Sequence, residues 1–336
     1  MSSSEIYTDF SEDIDWIRER IKEEIPSPPN PLGTLAEYYV KKRLLILPDS
    51  ARQNKFDPEL PTPIPYAVFW LAQAFGLTDQ QVIRRFGLQM LHFTLATTIQ
   101  DDVVDRETAS ELHAALANMY LHKYFSTFVD LLSPSSGFWH YLPGYIEELA
   151  TYDRWNLASR CEVSDPFSET FLRDSSRNLP TVSMPTLAAI AIMTDNEEKI
   201  PAMNRFMKQF CMAWRIYDDL KDWREDLNLK NLSHSSILIH ALNNSGGRSD
   251  LREDMVLSTF LDPDFVDMVY GSILGFIDAA KKEASVLNCP YLSKFLDEQI
   301  SFHSRRRDSM LRSCSDFYER LRGILDKYVP EQVSRI

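Results

Sequence analysis

The sequence predicts an all-α fold, and three of its features carry that prediction. Only 10 of the 336 residues are glycine, well below the average of roughly 7%, which disfavours turn-rich all-β folds. Apolar residues recur at helical spacing, as at Ile14, Ile17 and Ile21. The glycine-rich phosphate loops of α/β nucleotide-binding folds, GxGxxG and GxxxxGK followed by Ser or Thr, do not occur in the sequence.

The first half of the chain divides into helical segments separated by proline-rich or polar breaks. Ser11, followed by two acidic residues, marks the start of a helix over 11–25, and the prolines of segment 26–31 end it. A second helix is expected over 34–47. The four prolines of segment 49–65 exclude a helix interior and predict a loop. The next helices are expected over 66–75, from 79 to about 110 and over 112–132, with breaks at 76–78 and 133–137.

The second half of the chain continues this helical pattern. Turn-forming residues at 243–247, together with Pro263 and Pro290, mark further helix boundaries. Because no repeat, low-complexity tract or linker interrupts the sequence, a single all-α domain over residues 1–336 is the simplest expectation, with roughly ten or more helices. The helices of this half are expected over 138–160, 165–174, 180–194 and 199–229.

Charge and cysteine content limit the partners and the location of the protein. Its 36 Lys plus Arg against 49 Asp plus Glu give a net charge of −13, which argues against general affinity for nucleic acid or anionic membranes. The four cysteines form no CxxC pair and follow no basic-then-apolar leader, so reduced thiols and a cytoplasmic location are expected. No apolar run reaches the ~18 residues of a membrane span, which predicts a soluble protein. A homodimer is the commonest assembly on base rates.

An acidic cluster lies near the end of the helix expected over 79–110. Asp101 and Asp105 are four residues apart, so on a helix they share one face and stand ~6 Å from each other. Two carboxylates at that distance repel unless a cation lies between them, and Mg²⁺ is commonly bound by carboxylates together with substrate phosphates. Asp102 is rotated by roughly 100° from this face and needs a different partner.

A second acidic cluster repeats this pattern at the end of the helix expected over 199–229. Asp218 and Asp222 are again four residues apart, and either Glu225 or Asp226 extends the stripe. Helical geometry alone does not separate these two candidates. The clusters are 117 residues apart, which leaves enough chain for two helices to face each other.

The alternative for each cluster is an ordinary solvated helix face. The interleaved Lys221 and Arg224 favour that alternative, because opposite charges at helical spacing often form surface ion pairs. Two clusters of the same Asp-Asp-x-x-Asp pattern, each following a long apolar helix, favour a paired metal site instead. The sequence therefore predicts Mg²⁺ binding at both clusters.

Together the two clusters resemble the metal motifs of class I isoprenoid synthases and, among these, of class I terpene cyclases. Residues 101–105, Asp-Asp-Val-Val-Asp, are similar to the aspartate-rich motif of that family. Segment 218–226 is similar to its second motif, Asn-Asp-x-x-Ser-x-x-x-Glu, with aspartate in place of Asn, Ser and Glu. The all-aspartate form leans toward chain-elongating and head-to-head synthases. Chain length and the divergent second motif look most like fungal sesquiterpene cyclases of the humulene-forming type.

The resemblance implies a single-domain helical bundle around a central cavity, in which three Mg²⁺ ions help to ionise a prenyl diphosphate. The leading hypothesis is cyclisation of farnesyl diphosphate to a humulene-like hydrocarbon with release of diphosphate. One rival is a prenyltransferase or head-to-head synthase of the same fold, although no Gly-Lys-Arg segment for a second diphosphate occurs upstream. The other rival is a non-catalytic helical scaffold. The metal ligands implied by the resemblance are Asp101, Asp102, Asp105, Asp218, Asp222 and Asp226.

The resemblance also implies cationic ligands for the diphosphate, for which the planar guanidinium of arginine is suited. Arg173 and Arg177 lie where the family places a diphosphate-sensing arginine, and Arg177 is preferred because segment 181–185 looks like the helix break that follows it. Lys230 is a further phosphate ligand or else a solvated lysine. A surface basic patch is the alternative reading of each arginine. In the region where the family carries an Arg-Tyr pair, the choice among Arg305, Arg306 and Arg307 stays open, since no tyrosine adjoins them.

A cavity for carbocations needs aromatic walls that stabilise positive charge without reacting with it. Phe93 lies eight residues before Asp101, and Trp214 lies four before Asp218, so each shares the metal side of its helix. Ordinary core packing is the alternative for each of these rings. The other candidates of this kind are Phe69 and Phe210.

Overall fold

The computed structural model confirms the all-α prediction. It describes residues 5–27, 30–44, 63–104, 110–156, 165–176, 178–228, 235–245 and 251–328. All regular secondary structure within these ranges is helical. In chain order the α-helices are α1 (Glu5–Thr8), α2 (Ser11–Glu23), α3 (Pro31–Leu44), α4 (Pro63–Ala74), α5 (Gln80–Val104), α6 (Glu111–Leu131), α7 (Phe138–Asn156), α8 (Glu169–Ser175), α9 (Asn178–Met193), α10 (Ile200–Asn228), α11 (Ser236–Asn244), α12 (Glu253–Phe260), α13 (Pro263–Ser285) and α14 (Pro290–Tyr328).

Several helix starts follow from local chemistry that the sequence displays. The Asp79 carboxylate accepts hydrogen bonds from the backbone N–H groups of Gln81 and Val82, and so caps α5 where the sequence predicts its start. Pro263 and Pro290 open α13 and α14, since the first helical position needs no amide donor. For the same reason α4 begins at Pro63, three residues earlier than predicted.

The predicted helix break at 181–185 is wrong. Helix α9 continues through this segment with Pro185 in its interior. A proline there removes one backbone hydrogen bond. The residues that follow it, 186–191, are all buried, and α9 packs on α4 and α5. Tertiary packing therefore holds the helix across the position where its sequence favours a break.

The chain folds into two compact units that alternate along the sequence. The first is formed from residues 1–152, 177–208 and 280–298, and the second from 153–176, 209–279 and 299–336. The single domain expected from the sequence stays a prediction. Among the described helices, none combines the length and the apolar character needed to cross a bilayer.

The core of the first unit is built around α5, which packs against α2, α4, α6 and α9. Gly87 allows the close approach of α2, because a Cβ atom at this position would lie 2.5 Å from Cδ1 of Ile17. The buried Gln89 side chain is satisfied by neighbouring helices: it donates to the backbone carbonyl of Tyr124 at 2.8 Å and accepts from Thr186 at 3.2 Å.

A half-buried ionic cluster joins α2 to α5 and α6 within the same unit. The Glu24 carboxylate accepts hydrogen bonds from Nε2 of His92 at 2.8 Å and from Nζ of Lys123 at 2.5 Å. Burial raises the pKa of Glu24, but the His92 hydrogen bond and the Lys123 charge outweigh it and hold that pKa at about 2. Burial also lowers the pKa of His92.

These two shifts predict that the protein loses stability in acid. Glu24 contributes stability above its unfolded pKa of 4.5, and that contribution disappears as the pH falls toward 2. Because the pKa of His92 is also lowered, the unfolded state takes up its proton first and the loss begins below pH ~6.5. We expect the free energy of unfolding to fall by on the order of 2–3 kcal/mol between pH 7 and pH 3 through this cluster.

Thermal melts across this pH range test the prediction. The Glu24→Gln variant should show a shallower pH dependence than the wild type, whereas Glu23→Gln, on the exposed neighbour that pairs with Arg20, should keep the wild-type slope. Equal slopes in all three proteins would contradict the assignment.

Candidate active site

The second acidic cluster occupies the last turns of α10. The preceding turns of this helix are anchored by buried residues, among them Phe210 and Ile216. Trp223, buried between the carboxylates, packs on Phe260 of α12 with ring centroids 5.7 Å apart. The helix end that carries the acidic side chains is therefore held before the cluster and within it.

Asp219 is the most constrained carboxylate of the cluster. It is buried, and its Oδ2 accepts hydrogen bonds from the backbone N–H of Ser236 at 2.8 Å and from the Ser236 hydroxyl at 2.6 Å. Its Oδ1 lies 3.0 Å from a guanidinium nitrogen of Arg215. Burial raises the pKa of Asp219, and Arg215 and Ser236 counter part of that rise. Asp219 thus links α10 to the first turn of α11, and its donors already occupy both of its oxygens.

The other carboxylates form the stripe that the sequence predicts. Burial and then the charge of Asp218 raise the pKa of Asp222. Asp226 is half-buried, and burial, followed by the charges of Asp219, Asp222 and Asp218, raises its pKa to about 7. Glu225 is exposed. Asp218, Asp222 and Asp226 therefore influence one another electrostatically, as carboxylates on one helix face do.

Of the basic residues between these carboxylates, Arg224 is engaged by an acidic residue outside the stripe. Arg224 donates from Nε to Oε1 of Glu253 at 2.9 Å and stacks over the ring of Trp223. Its charge is directed to α12. Lys221 lies over the ring of Tyr217, and its charge lowers the pKa of Asp222 less than burial and Asp218 raise it.

The first acidic cluster is only partly described. Asp101 and Asp102 lie in the last turn of α5, and the Asp101 side chain and the whole of Asp105 fall outside the described residues. The Asp102 carboxylate is 3.6 Å from Nζ of Lys42 on α3. This separate partner agrees with the different helix face expected for Asp102, and the metal role of the cluster stays a prediction.

The predicted diphosphate ligands have different surroundings. Arg177 and Lys230 lie outside the described residues. Arg173 is exposed on α8, 3.5 Å from the Asp174 carboxylate. On α14, Arg307 donates from Nε and a terminal nitrogen to Oδ1 of Asp267, Arg306 lies 5.8 Å from the centre of the Phe302 ring, and Arg305 is exposed. Of this triplet, Arg307 is already engaged in an ion pair.

The aromatic candidates differ in burial and in their distance from an acidic cluster. Phe93 is buried in the first unit, with its ring centroid 4.5 Å from that of the buried Tyr124. Phe69 and Phe210 are buried too. Trp214 is partly exposed, one helical turn before Asp218, and meets the Tyr217 ring edge-on at 5.6 Å. Trp214 is thus the aromatic candidate that combines partial exposure with proximity to an acidic cluster.

Comparison with known proteins gives similarity at the level of structure only. No protein-family model and no curated protein sequence matches the chain. The geranylgeranyl pyrophosphate synthetase of the archaeon Geoglobus acetivorans is similar, with 16% identity, coverage of 87% of this chain and 99% of that one, and a TM-score of 0.65. The geranylgeranyl pyrophosphate synthase of Lactobacillus brevis gives 10% identity, coverage of 87% and 97%, and a TM-score of 0.67. The chain has the isoprenoid-synthase fold.

A third structure of this fold is the polyprenyl synthase of Caulobacter crescentus in complex with calcium and isoprenyl diphosphate. It shares 14% identity, covers 89% of this chain and 98% of its own, and has a TM-score of 0.60. All three similar proteins are prenyl diphosphate or polyprenyl synthases by name. The more specific resemblance to humulene-forming cyclases finds no support among them.

The donor chemistry of α10 suits a hard divalent cation in this isoprenoid-synthase fold. Within the described part of the chain, no group of three or more His, Cys, Asp or Glu side chains is arranged as a finished metal site. The carboxylate oxygens of Asp218, Asp222 and Asp226 are nevertheless the ligand type that Mg²⁺ prefers. Burial, followed by the charges of the neighbouring carboxylates, raises the pKa of Asp226, and a bound cation would favour its ionised form.

Two residues that organise the site were not predicted from the sequence. Arg215 and Ser236 hold Asp219, and neither belongs to the aspartate motif. The position of Arg215 four residues before Asp219 is a signal that could have identified it, because such pairs share a helix face. Ser236 lies 17 residues after Asp219, and only the folded structure brings the two together.

Proposed function

We propose that this protein is a divalent-metal-dependent prenyltransferase that joins prenyl diphosphates. The observation that carries the proposal is the stripe of Asp218, Asp222 and Asp226 on α10, uncompensated by Arg224, in a chain with the isoprenoid-synthase fold. The all-aspartate form of this motif and the names of the similar structures both favour transfer over cyclisation.

In this proposal the chain's own residues bind the reacting diphosphate and prepare its departure. Asp218, Asp222 and Asp226 would hold the divalent cation, and Asp219, paired with Arg215 on the same helix, keeps the end of α10 in place through Ser236 of α11. Bound Mg²⁺ supplies Lewis-acid stabilisation of the negative charge that develops on the leaving diphosphate. The C–O bond of the allylic diphosphate breaks, the double bond of the second substrate attacks the allylic carbon, and a proton is then lost from the product.

The remaining assignments from the sequence enter as parts of this proposal. Asp101, Asp102 and Asp105 form the other metal motif, and Trp214 lies beside the stripe as a ring that can stabilise a cation. The diphosphate oxygens need further cationic donors. The candidates are Arg173, Arg177, Lys230, Arg305, Arg306 and Arg307, of which Arg307 also pairs with Asp267.

Cyclisation of farnesyl diphosphate is the second candidate function, and one sequence observation favours it. The chain has no Gly-Lys-Arg segment, which the family resemblance would lead one to expect for the diphosphate of a second, homoallylic substrate. A cyclase needs only one diphosphate substrate. The shape of its cavity directs ring closure within that substrate, and no second substrate takes part.

Product analysis distinguishes the two reactions. Purified protein is incubated with Mg²⁺ and geranyl, farnesyl or geranylgeranyl diphosphate, each with and without isopentenyl diphosphate. A transferase yields a longer prenyl diphosphate only when isopentenyl diphosphate is present. A cyclase releases diphosphate and a volatile hydrocarbon from one substrate alone. If no substrate is consumed under any of these conditions, the helical scaffold becomes the better hypothesis.

The stripe predicts different roles for two adjacent acidic residues. Asp226 is half-buried beside Asp222, whereas Glu225 is exposed. We expect Asp226→Ala to raise the Mg²⁺ concentration for half-maximal rate by about tenfold or more, since one carboxylate ligand is lost, and Glu225→Ala to change it less than about twofold. A larger effect at Glu225 would reverse the assignment.

A further inference from the structure

Arg215 shares a face of α10 with two members of the carboxylate stripe. At roughly 100° per residue, Arg215 and Asp226 lie within about 20° of each other around the helix axis, and Asp222 lies about 20° to the other side of Arg215. Asp218 lies about 60° from Arg215 on that same side. The face that presents carboxylates to a cation therefore also carries one positive charge.

Asp219 holds this arginine in place. Its Oδ1 lies 3.0 Å from a terminal nitrogen of the Arg215 guanidinium. Its Oδ2 accepts from the backbone N–H and the hydroxyl of Ser236, and these two bonds fix the orientation of the carboxylate. The side chain of Asp219 is 3% exposed and that of Arg215 is 19% exposed, so the pair is largely shielded from water. The guanidinium is thus a fixed charge at the start of the stripe.

The charge of Arg215 acts along the stripe as far as its last member. Burial and then the charge of Asp219 raise the pKa of Asp226, and the charge of Arg215 opposes both. The two basic residues further along the helix are exposed, and Arg224 is engaged by Glu253. Water screens charges at exposed positions. Among the basic residues from 215 to 226, Arg215 is therefore the one whose charge is least screened.

We propose that Arg215 regulates ligand binding at the stripe: its fixed charge weakens the binding of a divalent cation alone and strengthens the binding of diphosphate once cations are bound. The inference rests on the proposed metal-dependent function. Like charges repel, so the stripe binds a bare cation less tightly than its carboxylates alone would. Diphosphate has the opposite charge and is attracted by an arginine beside the bound metal. Metal and diphosphate therefore strengthen each other's binding.

A purely structural role for Arg215 makes a different prediction. If the arginine served only to neutralise the buried Asp219, its removal would disturb the end of α10. Metal binding and diphosphate binding would then weaken together. A role through charge instead changes the two affinities in opposite directions, so the sign of each change distinguishes the two roles.

Binding of Mn²⁺ to the purified full-length protein tests the proposal without a measurement of catalysis. Mn²⁺ takes the same oxygen ligands as Mg²⁺, and electron paramagnetic resonance counts the free ion. The binding that is lost in Asp218→Asn defines the Mn²⁺ held at the stripe. We expect Arg215→Gln to lower the dissociation constant of this Mn²⁺ by about tenfold when no phosphate is present. At saturating Mn²⁺, it should raise the dissociation constant of inorganic pyrophosphate by about threefold or more.

Three further variants separate charge from folding. Arg215→Lys keeps the charge and should bind Mn²⁺ within about twofold of the wild type. Arg215→Gln combined with Asp219→Asn removes one charge of each sign, so it should also bind Mn²⁺ within about twofold of the wild type. If Arg215→Gln alone fails to fold, Asp219→Asn replaces it: the uncompensated Arg215 should then raise the Mn²⁺ dissociation constant by about tenfold. Circular dichroism verifies the fold of each variant.

Arg224→Gln is the matched control, because it removes an exposed arginine of the same helix that pairs with Glu253. Both affinities should stay within about twofold of the wild type. An effect as large as that of Arg215→Gln would overturn the proposal. Mn²⁺ affinity that is unchanged or weakened in Arg215→Gln would also overturn it and leave the metal site intact. If the wild type binds no Mn²⁺ at the stripe, with or without pyrophosphate, the metal-dependent function fails as well.

Discussion

Replacement of Asp218 by asparagine is expected to lower turnover of a prenyl diphosphate by about two to three orders of magnitude, while the protein remains folded. The substitution keeps the shape of the side chain and removes one negative charge. Burial and then the charge of Asp218 raise the pKa of Asp222, so removal of the Asp218 charge relieves repulsion within the stripe. A loss of activity without a loss of stability would therefore show that the Asp218 carboxylate acts in the reaction and does not stabilise the fold. The turnover rate at saturating Mg²⁺ and the melting temperature are both measured.

The matched control is Asp278→Asn, which makes the same change at an exposed position in the middle of α13. It should leave both turnover and melting temperature unchanged. Asp101 belongs to the first acidic motif, so Asp101→Asn should lower turnover as Asp218→Asn does. Wild-type kinetics in the Asp218 and Asp101 variants, at limiting as well as saturating Mg²⁺, would refute metal binding by the stripe.

Elements that depend on local chemistry could be predicted from the sequence. The start of α5 follows from Asp79, whose carboxylate caps amides only two and three residues ahead. The starts of α13 and α14 follow from the fixed backbone geometry of Pro263 and Pro290. The carboxylate stripe of α10 follows from helical periodicity, because Asp218, Asp222 and Asp226 interact along a single helix.

Features that depend on contacts between distant parts of the chain could not be predicted. Pro185 favours a break locally, yet the buried helix α9 continues through it because its neighbours pack around it. Arg307 looks in sequence like one of three equivalent arginines, but a carboxylate 40 residues away engages it. The aspartate motif gives no sign that its second member has a structural partner 17 residues later.

Among the aspartates of this motif, the second member, Asp219, should have the largest effect on stability when it is replaced. We expect Asp219→Ala to lower the free energy of unfolding by about 3–5 kcal/mol, the usual effect of removing one partner of a buried ion pair. The guanidinium of Arg215 loses its carboxylate, and the amide and hydroxyl of Ser236 lose their acceptor at the first turn of α11. The midpoint of urea denaturation should fall with an unchanged slope, because the extent of unfolding is the same.

Asp222→Ala is the internal control, one turn away on the same helix. Asp222 is exposed, and burial and Asp218 raise its pKa, so its removal should change the free energy of unfolding by less than about 0.5 kcal/mol while it lowers activity. Ser236→Ala, which deletes one of the two donors to Oδ2 of Asp219, should cost about 1 kcal/mol. If Asp219→Ala and Asp222→Ala are equally stable, Asp219 does not hold α10 to α11. In that case the motif would have to be understood as four equivalent carboxylates, each available to the metal, and the division between positioning and binding residues along α10 would have to be abandoned.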